Sequence, residues 1–77
     1  MPTLLPKEVR AKPPSARLVY TALDVNGPLE RQELIDETGV ADRTLNSAIA
    51  ALRDADLIEI HEDPFDHRRR VYTTTDS

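Results

Sequence analysis

Gly39 is the residue that most constrains how this chain can fold. Just before it, Leu34 and Ile35 mark the inward face of a helix predicted over residues 31–38. Just after it, Leu45, Ala48, Ile49 and Leu52 recur at helical spacing and predict a helix from Asp42 or Ala41 to about Ala55. Two short helices this close in sequence must turn sharply. The left-handed backbone that ends the first is easiest for glycine, and Val40 can then plug the corner between the two. Beyond the second helix the apolar period changes to two. Leu57-Ile58-Glu59-Ile60-His61 reads as a strand, residues 62–67 as a polar connection holding Pro64, and residues 69–75 as a second strand rich in β-formers. The two strands are expected to pair as a hairpin.

Upstream, Pro2, Pro6, Pro13 and Pro14 break any regular structure, so residues 1–13 are expected to be a loose arm and 14–77 the folded domain. Pro14-Ser15 is a plausible helix start with Ser15 as N-cap, and Leu18, Val19, Ala22 and Leu23 follow helical spacing. Asn26-Gly27-Pro28 stops that helix, and Leu29 begins a short link. The expected core is Leu18, Ala22, Leu34, Val40, Leu45, Ile49, Leu52 and Leu57. The 77 residues suffice for one domain with one modest core and little room for a deep substrate cavity. The expectation is therefore a mainly α chain with a small antiparallel β-hairpin: three helices followed by a wing, which is the layout of a winged helix-turn-helix.

Composition removes several classes of chemistry. With no cysteine, the chain has no disulfide, zinc-thiolate site or thiol nucleophile. No apolar run approaches the ~20 residues needed to span a bilayer, and the opening residues are too short and Pro-broken for a secretory signal, so the expected location is cytoplasmic. His61, Asp63, Asp66 and His67 are spaced along a strand and loop in a way that does not converge on a metal. Ser47, His61 and Asp63 do not form a nucleophilic triad. The reading is of a chain that is not an enzyme and uses no metal, cofactor or evident small-molecule ligand.

The net charge of −4 hides a segregation: residues 1–17 sum to +3, residues 18–63 to −8 and residues 64–77 to +1. Phosphate attraction dominates nucleic-acid affinity, so net acidity argues against a nucleic-acid partner unless local clusters override it. Two clusters do. The outer face of the 42–55 helix carries Arg43, Thr44, Asn46, Ser47, Ala50 and Arg53. These side chains are mostly small enough to let a helix enter the ~12 Å major groove of B-DNA. Arg43 can reach guanine edges or phosphates, and Asn46 can pair bidentately with adenine. The second cluster, Arg68-Arg69-Arg70, sits where the hairpin returns and can meet phosphates or a narrow minor groove. Plainer roles exist for both: Arg43 and Arg53 as solvated charges paired with Asp42 or Asp54, and the Arg triplet as an edge-strand guard.

The stretch LIDETGVADRTLNSAIAALRDADLI, Leu34 to Ile58, resembles the helix-turn-helix of MarR-type winged-helix regulators. The stretch DPFDHRRRVYTTT, Asp63 to Thr75, resembles their wing, with its Asp-x-Arg pattern here as Asp66-His67-Arg68. The resemblance covers roughly residues 15–75. It implies sequence-specific binding of double-stranded DNA by a small transcription regulator, with Arg68 entering the minor groove and the Asp orienting the wing. Three positions depart from the pattern: Ile35 stands where a small residue is usual, Asp42 near the DNA-facing helix start, and Asp56 in place of a glycine before the wing. MarR-type regulators also dimerise through long flanking helices and cradle a ligand against them. These 77 residues contain no such helices, so ligand sensing is not carried over. A homodimer built on Leu4, Leu5, Val9 and Tyr20 is the expected assembly. The Asp excess and the Arg-over-Lys bias also resemble the composition of proteins from halophilic archaea. The competing function is a winged-helix protein-interaction module that uses the acidic surface of the middle segment.

Overall fold

The computed structural model describes residues 7–75. Among these residues, four helices and three strands follow one another as α1 (Lys7–Arg10), α2 (Pro14–Asn26), β1 (Leu29–Glu30), α3 (Arg31–Thr38), α4 (Asp42–Asp54), β2 (Ile58–Asp63) and β3 (Asp66–Thr74). The strands form one antiparallel sheet in the order β1-β3-β2. Helix α2 packs against α3, α4 and β3, so it is the spine on which the rest is assembled.

Helices α3 and α4 have the extents that the sequence predicts, and the turn between them is built as expected. Gly39 sits at φ 73°, ψ 10°, and its N–H donates to the Ile35 carbonyl at 2.8 Å. An added Cβ at Gly39 would meet nothing within 4 Å, so what requires glycine here is backbone conformation and not space. The start of α3 is held by a reciprocal cap: the Glu30 carboxylate accepts from the Glu33 backbone, and Glu33 Oε1 accepts the Glu30 N–H at 2.8 Å. At the end of α4, Asp56 takes the left-handed conformation, φ 61°, where a glycine would be unstrained. Its N–H donates to the Arg53 carbonyl and that of Leu57 to the Leu52 carbonyl, both at 2.9 Å. That pair of bonds is the Schellman arrangement, and it aims the chain from α4 into β2.

The core differs from the sequence expectation in instructive ways. Leu34, Leu45, Ile49 and Leu52 are buried as expected, whereas Ala22, Val40 and Leu57 lie at its half-buried rim. Leu18 is 45 % exposed. The buried face of α2 is Ala16, Val19, Tyr20 and Leu23, rotated by one position from the expected stripe. Helix α2 starts two residues earlier than Ser15 would set as N-cap: Pro13 caps it, with no side-chain hydrogen bond. The expected loose arm is not loose throughout. Residues 7–10 form a helical turn, and Val9 is 0 % exposed. One apolar side chain between two proline breaks suffices to pin the segment to the core. Residues 1–6, including Leu4 and Leu5, lie outside the described residues.

The expected link at Leu29 is instead a strand. Leu29 pairs with Tyr72 and Glu30 with Val71, which widens the hairpin into a three-stranded sheet. Tyr72, Leu29, Ile58 and Thr74 form the buried face of that sheet. The hairpin strands also run further than residues 57–61 and 69–75. They continue to Asp63 and back from Asp66, leaving only Pro64 and Phe65 at the tip. Cross-strand pairing supports polar residues that local β-propensity alone does not.

Candidate nucleic-acid interface

Helix α4 buries Leu45, Ala48, Ile49 and Leu52 and turns Arg43, Thr44, Asn46, Ser47, Ala50 and Arg53 to solvent. At ~100° per residue, Arg43, Asn46, Ser47, Ala50 and Arg53 fall on one stripe and Thr44 on its flank. Among the described residues, neither Arg43 nor Arg53 has a carboxylate partner, which removes the plainer pairing with Asp42 or Asp54. Asp42 is held elsewhere. Arg31 Nη2 donates to its Oδ1 at 3.2 Å and to its backbone carbonyl at 3.3 Å. The acidic residue at the helix start is thereby paired with the first residue of α3.

The three hairpin arginines are not equivalent. Arg68 is anchored at its base, where Asp66 Oδ1 accepts its backbone N–H at 3.1 Å and its Nε–H at 3.4 Å, yet its side chain is 93 % exposed. Arg69 Nε donates to Glu30 Oε1 at 3.0 Å. That hydrogen bond and the Glu30 charge raise the Arg69 guanidinium above its ordinary value. Arg70 lies 3.5 Å from Glu62. The register between β2 and β3 shifts here: Glu62 faces Arg70, whereas Asp63 faces Asp66. Such an irregularity bends a strand and re-aims its side chains. Arg68, Arg70 and Tyr72 share one face of β3 and, with Arg31, Gln32, Glu30 and Glu33, line an open cleft of about 590 Å³ between the hairpin and the start of α3.

The fold has counterparts among solved structures. BpsR of Bordetella bronchiseptica, studied for the regulation of its DNA binding by 6-hydroxynicotinic acid, superposes with a TM-score of 0.80. Identity is 22 %, over 94 % of this chain and 53 % of BpsR. The PcaV transcriptional regulator from Streptomyces coelicolor, solved with its natural ligand, gives 0.77 at 23 % identity over 84 % of this chain and 46 % of PcaV. Reduced AbfR bound to DNA gives 0.76 at 19 % identity over 91 % of this chain and 52 % of AbfR. The fold is a winged helix-turn-helix. The chain spans about half the length of the solved proteins it matches. No protein-family model and no curated protein matches the sequence.

Within the winged helix, α3 and α4 form the helix-turn-helix and β2–β3 the wing. The structure groups Arg43, Thr44, Asn46, Ser47 and Arg53 on one helix and places Arg68, Arg69 and Arg70 on the wing, each beside a carboxylate, with Arg68 the most exposed of the three. Sequence reasoning missed Arg31. Its signal was present: a cation in the first turn of a helix opposes the helix dipole and calls for a nearby anion. That the anion is Asp42 depends on the angle at which α3 and α4 pack.

Proposed function

We propose that this chain binds double-stranded DNA sequence-specifically as the DNA-binding part of a transcription regulator acting in the cytoplasm. Helix α4 enters the major groove, with Arg43 and Asn46 on base edges and Thr44, Ser47 and Arg53 on edges or phosphates. The wing follows the backbone to the adjacent minor groove, where Arg68 leads and Arg69 and Arg70 assist. The observation that carries this reading is the α4 outer face: two arginines without carboxylate partners among small polar side chains, with the one acid at the helix start tied to Arg31. AbfR is solved on DNA and BpsR is described by its DNA binding, and the shared fold brings that role to this chain. The reading needs no catalytic group, cofactor or small-molecule effector.

Pairing of two copies on half-sites one DNA turn apart belongs to the same reading. Of the four residues expected from sequence to form its surface, Leu4 and Leu5 lie outside the described residues. Val9 is 0 % and Tyr20 is 3 % exposed, both inside the core, whereas α2 presents Leu18 and Val25 to solvent.

The test is a salt titration on a duplex selected from a random pool and on random duplex. Arg43→Ala or Asn46→Ala should cost ~1–3 kcal/mol on the selected site and little on random DNA. Arg68→Ala should weaken both equally and flatten the salt slope by about one unit. If replacing all three wing arginines leaves DNA affinity unchanged, the acidic surface and a protein partner become the better reading.

A further inference from the structure

Phe65 is 97 % exposed at the tip of the hairpin, between the end of β2 and the start of β3. The tip holds it there. Pro64 restricts the backbone before it, and the Phe65 N–H donates to Asp63 Oδ1 at 2.8 Å, closing the turn. An aromatic ring at the end of a stiff two-stranded projection is a large apolar surface with no partner in its own fold. Its surroundings point to the kind of partner. The carboxylates beside it are both occupied and half-buried, Asp63 with the Phe65 N–H and Asp66 with Arg68. Among the described side chains of the tip, the Phe65 ring and the Arg68 guanidinium are both almost fully exposed, at 97 % and 93 %. A cation beside an apolar wedge is the pairing with which proteins enter the minor groove: the cation follows the negative potential, and the wedge packs against sugars and loosens a base step.

We propose that Phe65 is a minor-groove wedge that enters beside Arg68 and partly unstacks a base step of the bound duplex. This rests on the DNA-binding reading and goes beyond it. It assigns the wing tip an apolar contact and predicts a preference for easily opened pyrimidine–purine steps at the flank of the site. It also gives Arg68 and Phe65 different signatures. Losing Arg68 flattens the salt dependence, whereas losing Phe65 lowers affinity without changing it.

The chain contains no tryptophan, so Phe65→Trp supplies a single fluorophore at the tip. The full chain is titrated with a selected duplex carrying 2-aminopurine at the flanking step, using wild type, Phe65→Trp, Phe65→Leu, Phe65→Ala and Arg43→Ala. The expected result is quenched tryptophan emission on binding and increased 2-aminopurine emission with wild type but not with Phe65→Ala. Phe65→Ala should bind about tenfold more weakly at an unchanged salt slope, with Phe65→Leu in between. Thermal melts of the variants should match wild type, because the ring touches nothing in the folded chain. The wedge is overturned if Phe65→Ala binds as wild type and tryptophan emission stays constant at saturating DNA while Arg43→Ala still weakens binding; the DNA-binding reading then survives. If wild type binds no duplex, both fail together. A tryptophan emission change that follows protein concentration without DNA also overturns it and assigns the tip to contact between copies.

Discussion

Glu30 is the carboxylate whose removal best tests how the wing meets DNA. Its Oε1 holds Arg69 Nε at 3.0 Å, and an arginine held this way offers a phosphate little net charge. Glu30→Gln removes the competing charge but keeps a carbonyl oxygen for the cap of α3. The cost to the fold should therefore stay below the ~1 kcal/mol typical of a lost N-cap. If Arg69 lies along the DNA backbone, the variant neutralises one more phosphate, and the slope of log affinity against log salt steepens by about 0.9. Relative to binding at ~1 M salt, that corresponds to about eightfold tighter binding at ~0.1 M. Fluorescence anisotropy with a labelled random duplex over a salt series measures both quantities, after a melt confirms that the variant folds. Glu8→Gln on α1 makes the same change in net charge and is the control. If the slope is unchanged, or Glu8→Gln shifts it equally, Arg69 does not reach the backbone and the wing geometry argued above is wrong.

Three further outcomes are expected. Leu52→Ala or Leu45→Ala, each at a side chain 0 % exposed, should lose ~2–5 kcal/mol in denaturant unfolding, enough to threaten a domain of this size. Asp56→Gly should raise the unfolding free energy by up to ~1 kcal/mol in denaturant titration, because it relieves the left-handed backbone at φ 61° while leaving the Schellman bonds intact. Arg31→Ala should weaken binding to every duplex by exposing the Asp42 charge at the start of α4, and Asp42→Asn in the same chain should restore most of the loss in a double-mutant cycle. Equal losses in the presence and absence of the Asp42 carboxylate would show that Arg31 acts on DNA directly.

Local sequence determined the helix-turn-helix. Leu45, Ala48, Ile49 and Leu52 are spaced so that only a helix puts them on one face, and Gly39 sits where only an unbranched backbone takes φ 73° without strain. The outer face of α4 followed automatically, because fixing the buried stripe fixes its opposite. Tertiary structure decided what depends on partners far along the chain. Leu29 and Glu30 are a strand because Tyr72 and Val71 lie alongside to accept pairing, and two residues carry too little period to announce that alone. Val9 is core and Leu18 is surface because of how α1 and α2 rotate against α3 and α4, a rotation that an apolar pattern defines only to within a neighbouring position. The three wing arginines are identical in sequence and unlike in space. Glu30 arrives beside Arg69 from 39 residues away and Glu62 lies across the hairpin from Arg70, while Arg68 has only its neighbour Asp66 and stays free to reach outward. Charge type is written in the chain, but whether a charge is available depends on which opposite charges folding brings within a few ångströms.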